Sequence, residues 1–368
     1  MYEISVRELA GLDPARHILV DIRDEPAYQN GAIPGAVRLT PEEMSGLPLD
    51  KDIILYCGKG LISAEATADL NARGYTARSL SGGYLQWLMG RMEQDKAPNI
   101  EASIRKKFHK AIFSQFTKGV RTYEMVQAGD KVAVCISGGK DSMIMAKLFQ
   151  ELMRHRKVPF TCEFLVMDPG YHPENRAQIE RNGALMGVPL TFFETDIFES
   201  VLNVPKSSAC YLCARMRRGH LYSKARELGC NKIALGHHYD DVIETILMGM
   251  LWGGQVQSMM PKLHSTNFAG MQLIRPMYFV READIKHFRD YHKLRFLQCA
   301  CRFTDTCSTD GSMASKRTEV KHLIRMLKET NPRVEHNIFS SVNNVHMNAV
   351  LGYKQGEVRH SFLDAYDV

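Results

Sequence analysis

Short apolar runs that end in charge or at a cysteine alternate with longer amphipathic stretches along most of the chain. In the first 95 residues, HILVDIR and DIILYC read as strands buried on both faces, as in a parallel sheet, and the second ends at Cys57. LISAEATADLNARGY follows with helical spacing and stops at a glycine, and SLSGGYLQWLMG closes the unit. Repeated strand–loop–helix order predicts a small α/β domain with a mainly parallel sheet over residues 1–95. The polar stretch EQDKAPN, with Pro98, reads as a linker.

The remainder, 96–368, opens with a basic helical lead-in over 96–127. KVAVCI is then a strand, Ser137 to Ser142 a loop, and MIMAKLFQELMRH a helix. FTCEFLVMD, LTFFETD and NKIALGHH are further strands, with NRAQIERNGALMG a helix between the first two. This order predicts a Rossmann-like, doubly wound nucleotide-binding core over 128–300, with its ligand crevice at the strand carboxyl ends. Residues 301–368 are expected to form a C-terminal helical tail.

Composition narrows the class. Hydrophobic residues make up 45% and charged residues 24% of the 368, as in ordinary globular proteins. No run of about 18 apolar residues marks a membrane span, and the first residues lack an apolar signal region. The nine cysteines are odd in number and no secretory signal precedes them, so reduced thiols and a cytoplasmic location are expected. The net charge of +6 suits a polyanion partner without requiring one. Its distribution says more. Arg105, Lys106, Lys107, Lys110, Lys118 and Arg121 are opposed in their own stretch only by Glu101, with aromatic residues interleaved. Such a run is either a solvated helix face or a phosphate-binding one.

The loop S-G-G-K-D-S, Ser137 to Ser142, has the makings of a phosphate cradle. Gly138 and Gly139 permit unusual backbone angles and close approach. The following helix start offers unpaired N–H groups to an anion. Ser137 and Ser142 add hydroxyls, Lys140 a positive charge, and Asp141 a ligand for Mg²⁺ bridging the phosphates. The alternative is a plain tight turn and helix cap, which the strand–loop–helix order disfavours. In LGHHYDDVIETILM, Gly236, His237, Asp240 and Asp241 follow a strand and head a helix. The two aspartates read as metal or adenylate ligands, or as an acidic first turn favoured by the helix dipole. Asp168, at the end of FTCEFLVMD, joins the expected ATP-binding set.

Cys210 and Cys213 form C-Y-L-C, expected to be a short loop that lets two sulfurs converge on one metal or cluster edge. A redox dithiol has the same spacing. A mononuclear zinc site would want a second such pair, whereas the later thiols are Cys299, Cys301 and Cys307. Cys135, Cys162 and Cys230 lie in apolar or strand-adjacent contexts and are expected in the core.

The S-G-G-K-D-S loop resembles that of the PP-loop ATP pyrophosphatase family, whose members cleave ATP between the α and β phosphates. With C-Y-L-C-A-R-M-R-R-G, G-H-H-Y-D-D, WGGQVQSMMPKL and the IRPM segment, residues 100 to 346 resemble the tRNA 2-thiocytidine synthetase family. The resemblance implies a [4Fe–4S] cluster on Cys210, Cys213 and a third cysteine, one iron being left open for sulfur. By the same resemblance Cys299, counted from the helix near Asp284, falls where the family has its third ligand, with Cys301 the alternative and Cys307 after it. It further implies a tRNA substrate, adenylation of a nucleobase carbonyl with cytidine C2 expected, release of pyrophosphate and AMP, and 2-thiocytidine as product. Arg105, Lys106, Lys107 and Lys110, together with Arg215, Arg217 and Arg218, would then bind tRNA phosphates.

DIRDEPAYQNGAIPGAVRL, YCGKGLISAEA and GGYLQW resemble rhodanese domains over residues 1–95. By that resemblance Cys57 carries a persulfide, cradled by the N–H groups of a loop, Gly58–Ser63, that leads into a helix. Ile62 stands where the family often has arginine, and Ala32 where it often has histidine. These departures disfavour thiosulfate as direct donor and point to a persulfide handed over by a partner such as a cysteine desulfurase. Other readings are the same sulfur insertion on another nucleoside or a non-RNA substrate, or a non-catalytic sulfur carrier. Pairing as a homodimer is left open.

Overall fold

The computed structural model describes residues 2–94, 96–197, 206–297 and 316–366. Its chain divides into two units, Met1–Asn99 and Ile100–Val368.

The first unit contains β1 (Glu3–Ile4), α1 (Val6–Ala10), β2 (His17–Asp21), α2 (Glu25–Gln29), β3 (Val37–Arg38), β4 (Asp52–Tyr56), α3 (Leu61–Ala72), β5 (Thr76–Leu80) and α4 (Gly83–Gln94). Its strands pair in the order β1-β5-β4-β2-β3, every pair parallel. β4 lies centrally and packs on both faces. Ile54 and Tyr56 join Leu19, Leu80 and the aromatic side of α4. Ile53 and Leu55 join Val20, Leu70 and Ala77 on the other face. Continuous burial explains why DIILYC lacks polar alternation. It also leaves Cys57 at the carboxyl end of the central strand.

The described residues of the stretch read as a linker are helical. α4 runs to Gln94 and α5 (Lys96–Arg105) starts two residues later. Pro98 falls in the first turn of α5, where the N–H it lacks would have had no helical partner. The basic lead-in then widens into a π-type turn, His109–Phe113, and resumes as α6 (Ser114–Thr122), short of the expected end at 127.

The second sheet is built from β6 (Lys131–Ile136), β7 (Thr161–Asp168), β8 (Thr191–Glu194), β9 (Lys232–Ala234), β10 (Lys262–His264) and β11 (Gln272–Ile274). The intervening helices are α7 (Lys140–Arg154), α8 (Pro173–Met186), α9 (Lys206–Glu227), α10 (Tyr239–Gly253) and α11 (Glu282–Tyr291). Strand order is β10-β11-β9-β6-β7-β8, parallel except at the β10–β11 edge. Val132, Val134 and Ile136 of β6 face a core shared with α7, α8, α10 and α11. Ala133 and Cys135 face the other side, against Tyr222 and Ala225 of α9 and Cys230. Burial pushes the Cys135 thiol up to about 12 and Cys230 to about 11, so both are unreactive core residues. Cys162 is partly buried against the first core, as expected of it.

At the amino end of the sheet the Lys232 ammonium, almost fully buried, lies 2.6 Å from Asp130. Burial works against the Asp130 charge, but hydrogen bonds from Lys232, the Gln127 N–H and Asn231 outweigh it and hold its pKa low. The segment expected to be a helical tail holds α12 (Lys316–Thr330) and α13 (Val334–Ser341). A hairpin follows, β12 (Gly352–Gln355) and β13 (Val358–Ser361), and then a 3-10 turn, Phe362–Ala365.

Candidate active site

From β6 the chain moves outward through β7 to β8, then returns to β9 on the other side of β6. Such a reversal opens a crevice at the strand carboxyl ends. The two segments leaving this switch point are Ser137–Ser142 and Gly236–Asp241. Both carry the residues expected from sequence to bind ATP, and the register Val134↔Ala234 makes them neighbours. Their approach is close: a Cβ on Gly236 would lie 3.1 Å from the Ser142 N and 3.3 Å from the Asp141 carbonyl carbon.

The loop is held by its own serines. Ser137 N–H donates to Ser142 Oγ at 3.1 Å, and Ser142 Oγ donates to the Gly139 carbonyl at 3.1 Å. Gly138 adopts φ +81°, a left-handed conformation that side chains disfavour. Gly139 caps α7 without a side-chain acceptor, so the first N–H groups of a 15-residue helix stay open to an anion. Lys140 Nζ lies 3.0 Å from Asp141 and 3.1 Å from Glu282. Burial disfavours the ammonium, but these two carboxylates more than offset that and raise its pKa. Asp141 Oδ1 is buried with no hydrogen-bond partner. An orphaned carboxylate oxygen beside a phosphate cradle suits a divalent cation.

The second segment is organised by a reciprocal cap. His238 N–H donates to Asp241 Oδ2 at 3.0 Å, and Asp241 N–H donates to His238 Nδ1 at 3.4 Å. Asp240 Oδ2 accepts the Glu282 N–H at 2.7 Å, tying α10 to α11. Both aspartates thus have defined partners, Asp240 on α11 and Asp241 at its own helix start. Among the described residues no cluster of three or more His, Cys, Asp or Glu converges on one point. His237 is kept neutral at pH 7, its pKa lowered to about 4 by burial and by Arg275 and Arg317, and its Nδ1 has no hydrogen-bond partner. Asp168 serves as a turn organiser, accepting from Gly170 and Tyr171 N–H and pairing with Arg176 at 3.1 Å.

Sequence reading missed the residues that complete this site from afar. Arg317 and Lys321 stand one turn apart on α12. Arg317 lies 3.0 Å from Asp241, and Lys321 lies 3.6 Å from Glu244 and 3.7 Å from Glu282. Burial pushes the Glu244 carboxyl up to about 7 despite these cations. The Glu282 carboxyl is also penalised by burial, yet Lys286 and Lys140 bring it down to about 2. An acidic pair in the first turn of α11, Glu282 and Asp284, was the one local signal available.

The expected RNA-binding cations are separated. Arg105 is held by Glu151 at 2.7 Å and by Glu101 at 3.1 Å, so its charge is spent internally. Lys106, Lys107 and Lys110 are exposed on the lead-in. Arg217 and Arg218 sit on α9, whose Tyr222 and Ala225 pack on the opposite face of the sheet. Positions 210 and 213 lie within α9 and not in a loop; a 3-residue step is nearly one helical turn, which keeps both on one side of the backbone. Cys299, Cys301 and Cys307 lie outside the described residues.

In the first unit the Cys57 side chain is 5% exposed. Its Sγ accepts from the Gly60 N–H at 3.1 Å and from the Ser63 hydroxyl at 3.5 Å. Burial pushes the thiol up, but these bonds, with others from the Ser63 and Lys59 N–H groups, prevail and lower its pKa. Gly83, at φ +60°, passes so close that a Cβ there would lie 2.3 Å from the Cys57 carbonyl oxygen. Arg23 pairs with buried Asp21 at 2.6 Å and stacks 3.9 Å over Tyr84, bracing the start of α4 beside the loop. Leu61 and Ile62 at the loop's outer rim are 75% and 66% exposed, so the rim is apolar where an arginine would have made it cationic.

Comparison with known proteins places both units. Residues 105–302 match the PP-loop domain family and residues 6–89 the rhodanese-like domain family. The tRNA-cytidine(32) 2-sulfurtransferase of Burkholderia vietnamiensis is 34% identical over 77% of this chain and 81% of its own. The same-named protein of Pelobacter propionicus is 35% identical over 62% of this chain and 83% of its own. Among solved structures, the U34-tRNA thiolase NcsA of Methanococcus maripaludis, with its [4Fe–4S] cluster, aligns with TM-score 0.49 and 21% identity over 62% of this chain and 76% of that chain. On the extent of the sequence match, the chain belongs to the tRNA-cytidine(32) 2-sulfurtransferase family of PP-loop enzymes, with a rhodanese-like domain preceding its PP-loop domain.

Proposed function

We propose that this enzyme adenylates the C2 carbonyl oxygen of a tRNA cytidine and replaces that oxygen with sulfur, giving 2-thiocytidine. The observation that carries the reading is the open start of α7, with Lys140 beside it and an Asp141 Oδ1 that accepts no hydrogen bond and lies 3.8 Å from His238 Nε2, at the switch point of the sheet. The α7 N–H groups and Lys140 hold the ATP phosphates, and Asp141 holds Mg²⁺ among them. Gly236 lets the second segment reach the loop, and neutral His237 offers a hydrogen bond without charge. The carbonyl oxygen attacks the α phosphorus and pyrophosphate leaves. Sulfur at the oxidation level of sulfide then adds at C2, and AMP departs with the former carbonyl oxygen. Arg317 and Lys321 offset the negative charge gathered around Asp241, Glu244 and Glu282.

The paired thiols of α9 suit an iron–sulfur cluster, and Cys210, Cys213 and Cys299, or Cys301 in its place, would hold it. A [4Fe–4S] cluster with one open iron supplies a Lewis acid that binds sulfide. Cys57 receives a sulfane sulfur from a partner persulfide such as that of a cysteine desulfurase. Two cellular thiols, oxidised to a disulfide, then release sulfide and return the Cys57 thiolate. The exposed lysines of the lead-in, with Arg217 and Arg218, engage tRNA phosphates.

Anaerobic reconstitution with iron and sulfide, followed by ATP, Mg²⁺, sulfide and unmodified tRNA, tests this. Nucleoside mass spectrometry should show 2-thiocytidine, lost in Asp141→Ala and in Cys210→Ala. Pyrophosphate release that does not depend on tRNA, with no thionucleoside formed, would overturn the tRNA assignment.

A further inference from the structure

A cleft of about 660 Å³ opens in the second unit between the lead-in and α13, closed at one end by the first residues of α10 and α11. Pockets of roughly 300–1,000 Å³ take small organic ligands, so it has room for a nucleotide. Lys107, Lys110, Ala111, Gln115 and Lys118 line one wall. The π-type turn between them keeps these positions, spaced 3, 1, 4 and 3 apart, on one face. All three lysines are exposed and none pairs with a carboxylate among the described residues. The floor is aromatic: Phe279 and Phe339 stand 5.7 Å apart, and Tyr239 stacks on Phe339 at 4.5 Å. Lys118 Nζ lies 4.7 Å over Phe279. Asp284 is the single carboxylate in the lining.

We infer that this cleft holds one unstacked nucleotide of single-stranded RNA, its base against Phe279, the more exposed of the two rings, and its phosphates on Lys107, Lys110 and Lys118. This rests on the proposed tRNA substrate and adds the surface that receives it. Cations alone would suit any polyanion. An aromatic platform between them is what single-stranded nucleic acid uses and an acidic peptide does not. Position supports the assignment. Arg281 lines the cleft, while its neighbour Glu282 meets Lys140 of the phosphate loop. Tyr239 lines the cleft, while Asp240 next to it bonds the Glu282 N–H. The cleft and the ATP loop thus share one wall, and a nucleotide seated in the first stands beside the second.

Fluorescence anisotropy with the full chain and a labelled RNA stem–loop tests this, with the blunt duplex of the same sequence and polyglutamate as competitors. The stem–loop should bind best. Lys110→Gln and Lys118→Gln should each lower the salt slope by about 0.7. Phe279→Leu should weaken binding about tenfold with the slope unchanged. Lys157→Gln, on an exposed turn after α7, should change nothing. Ultraviolet crosslinking should place RNA on the peptide containing Phe279. Stem–loop binding that the cleft variants leave intact, or that duplex or polyglutamate displaces equally well, would overturn the cleft and leave the tRNA reading standing. Failure of the unaltered protein to bind tRNA at all would overturn the proposed function itself.

Discussion

Glu282, from the first turn of α11, sits 3.1 Å from the Lys140 ammonium at the mouth of the phosphate loop. A triphosphate arriving there meets a lysine already paired with two carboxylates, Asp141 and Glu282. Glu282→Gln removes one negative charge beside the phosphates and keeps the shape. Even screened as in bulk water, a unit charge about 4 Å away is worth about 1 kcal/mol, so ATP should bind at least about fivefold tighter. Isothermal titration with ATP measures this. Weaker binding in the variant would show that Glu282 orients Lys140 more than it competes for it.

Gly236 tests the contact between the two segments. A Cβ there would lie 3.1 Å from the Ser142 N and 3.2 Å from its Cα, both backbone atoms that cannot swing away. Gly236→Ala should push the segments apart and weaken ATP at least about tenfold, with a loss of stability of roughly 1–3 kcal/mol. Gly253→Ala, where a Cβ meets nothing within 4 Å, should leave ATP affinity unaltered.

The Cys57 thiol pKa is lowered by a set of donors that includes the Ser63 hydroxyl. Ser63→Ala removes a bond to the thiolate, so its pKa should rise and less thiolate should be present at pH 7. The rate of iodoacetamide alkylation, followed on the Cys57 peptide by mass spectrometry, should fall at neutral pH and recover as pH rises. Gly83→Ala should act more severely, because its Cβ would overlap the Cys57 carbonyl oxygen at 2.3 Å. An unchanged pH–rate curve in Ser63→Ala would assign the low pKa to the backbone N–H groups alone.

Lys232 and Asp130 set the stability of the second sheet against pH. The Asp130 pKa is depressed on folding, so its contribution is present above the ordinary carboxylate value and is lost as pH falls through the lower, folded value. Acid should therefore destabilise the native chain below about pH 4. Lys232→Met leaves a buried carboxylate unpaired and should cost about 3–5 kcal/mol at pH 7. In that variant the Asp130 pKa rises, and mild acidification should now stabilise. Urea unfolding at pH 7 and pH 5 distinguishes the two behaviours.

Features carried by contiguous residues were legible in the sequence. A strand, a glycine loop and a helix start lie within a dozen positions of one another in Ser137–Ser142 and again at Cys57–Ser63, and the hydrogen bonds that shape each loop run between those same residues. The parallel sheets followed from apolar runs without alternation, since strands buried on both faces have no polar side to show. EQDKAPN was misread because a proline in a first helical turn looks, locally, like one in a linker.

What joins distant positions was decided by tertiary structure alone. Arg105 looked available because its nearest acid in sequence was Glu101; Glu151, far along the chain on α7, takes its charge. Lys107 and Lys110 looked like companions of Arg217 and Arg218, yet side-chain alternation in β6 gives α9 a different face of the sheet. Glu282, Arg317 and Lys321 reach the site only because α11 and α12 pack beside α10. Local periodicity dictates which face of an element is apolar. Which elements share that core, and so which charges meet above it, is settled when the whole chain packs.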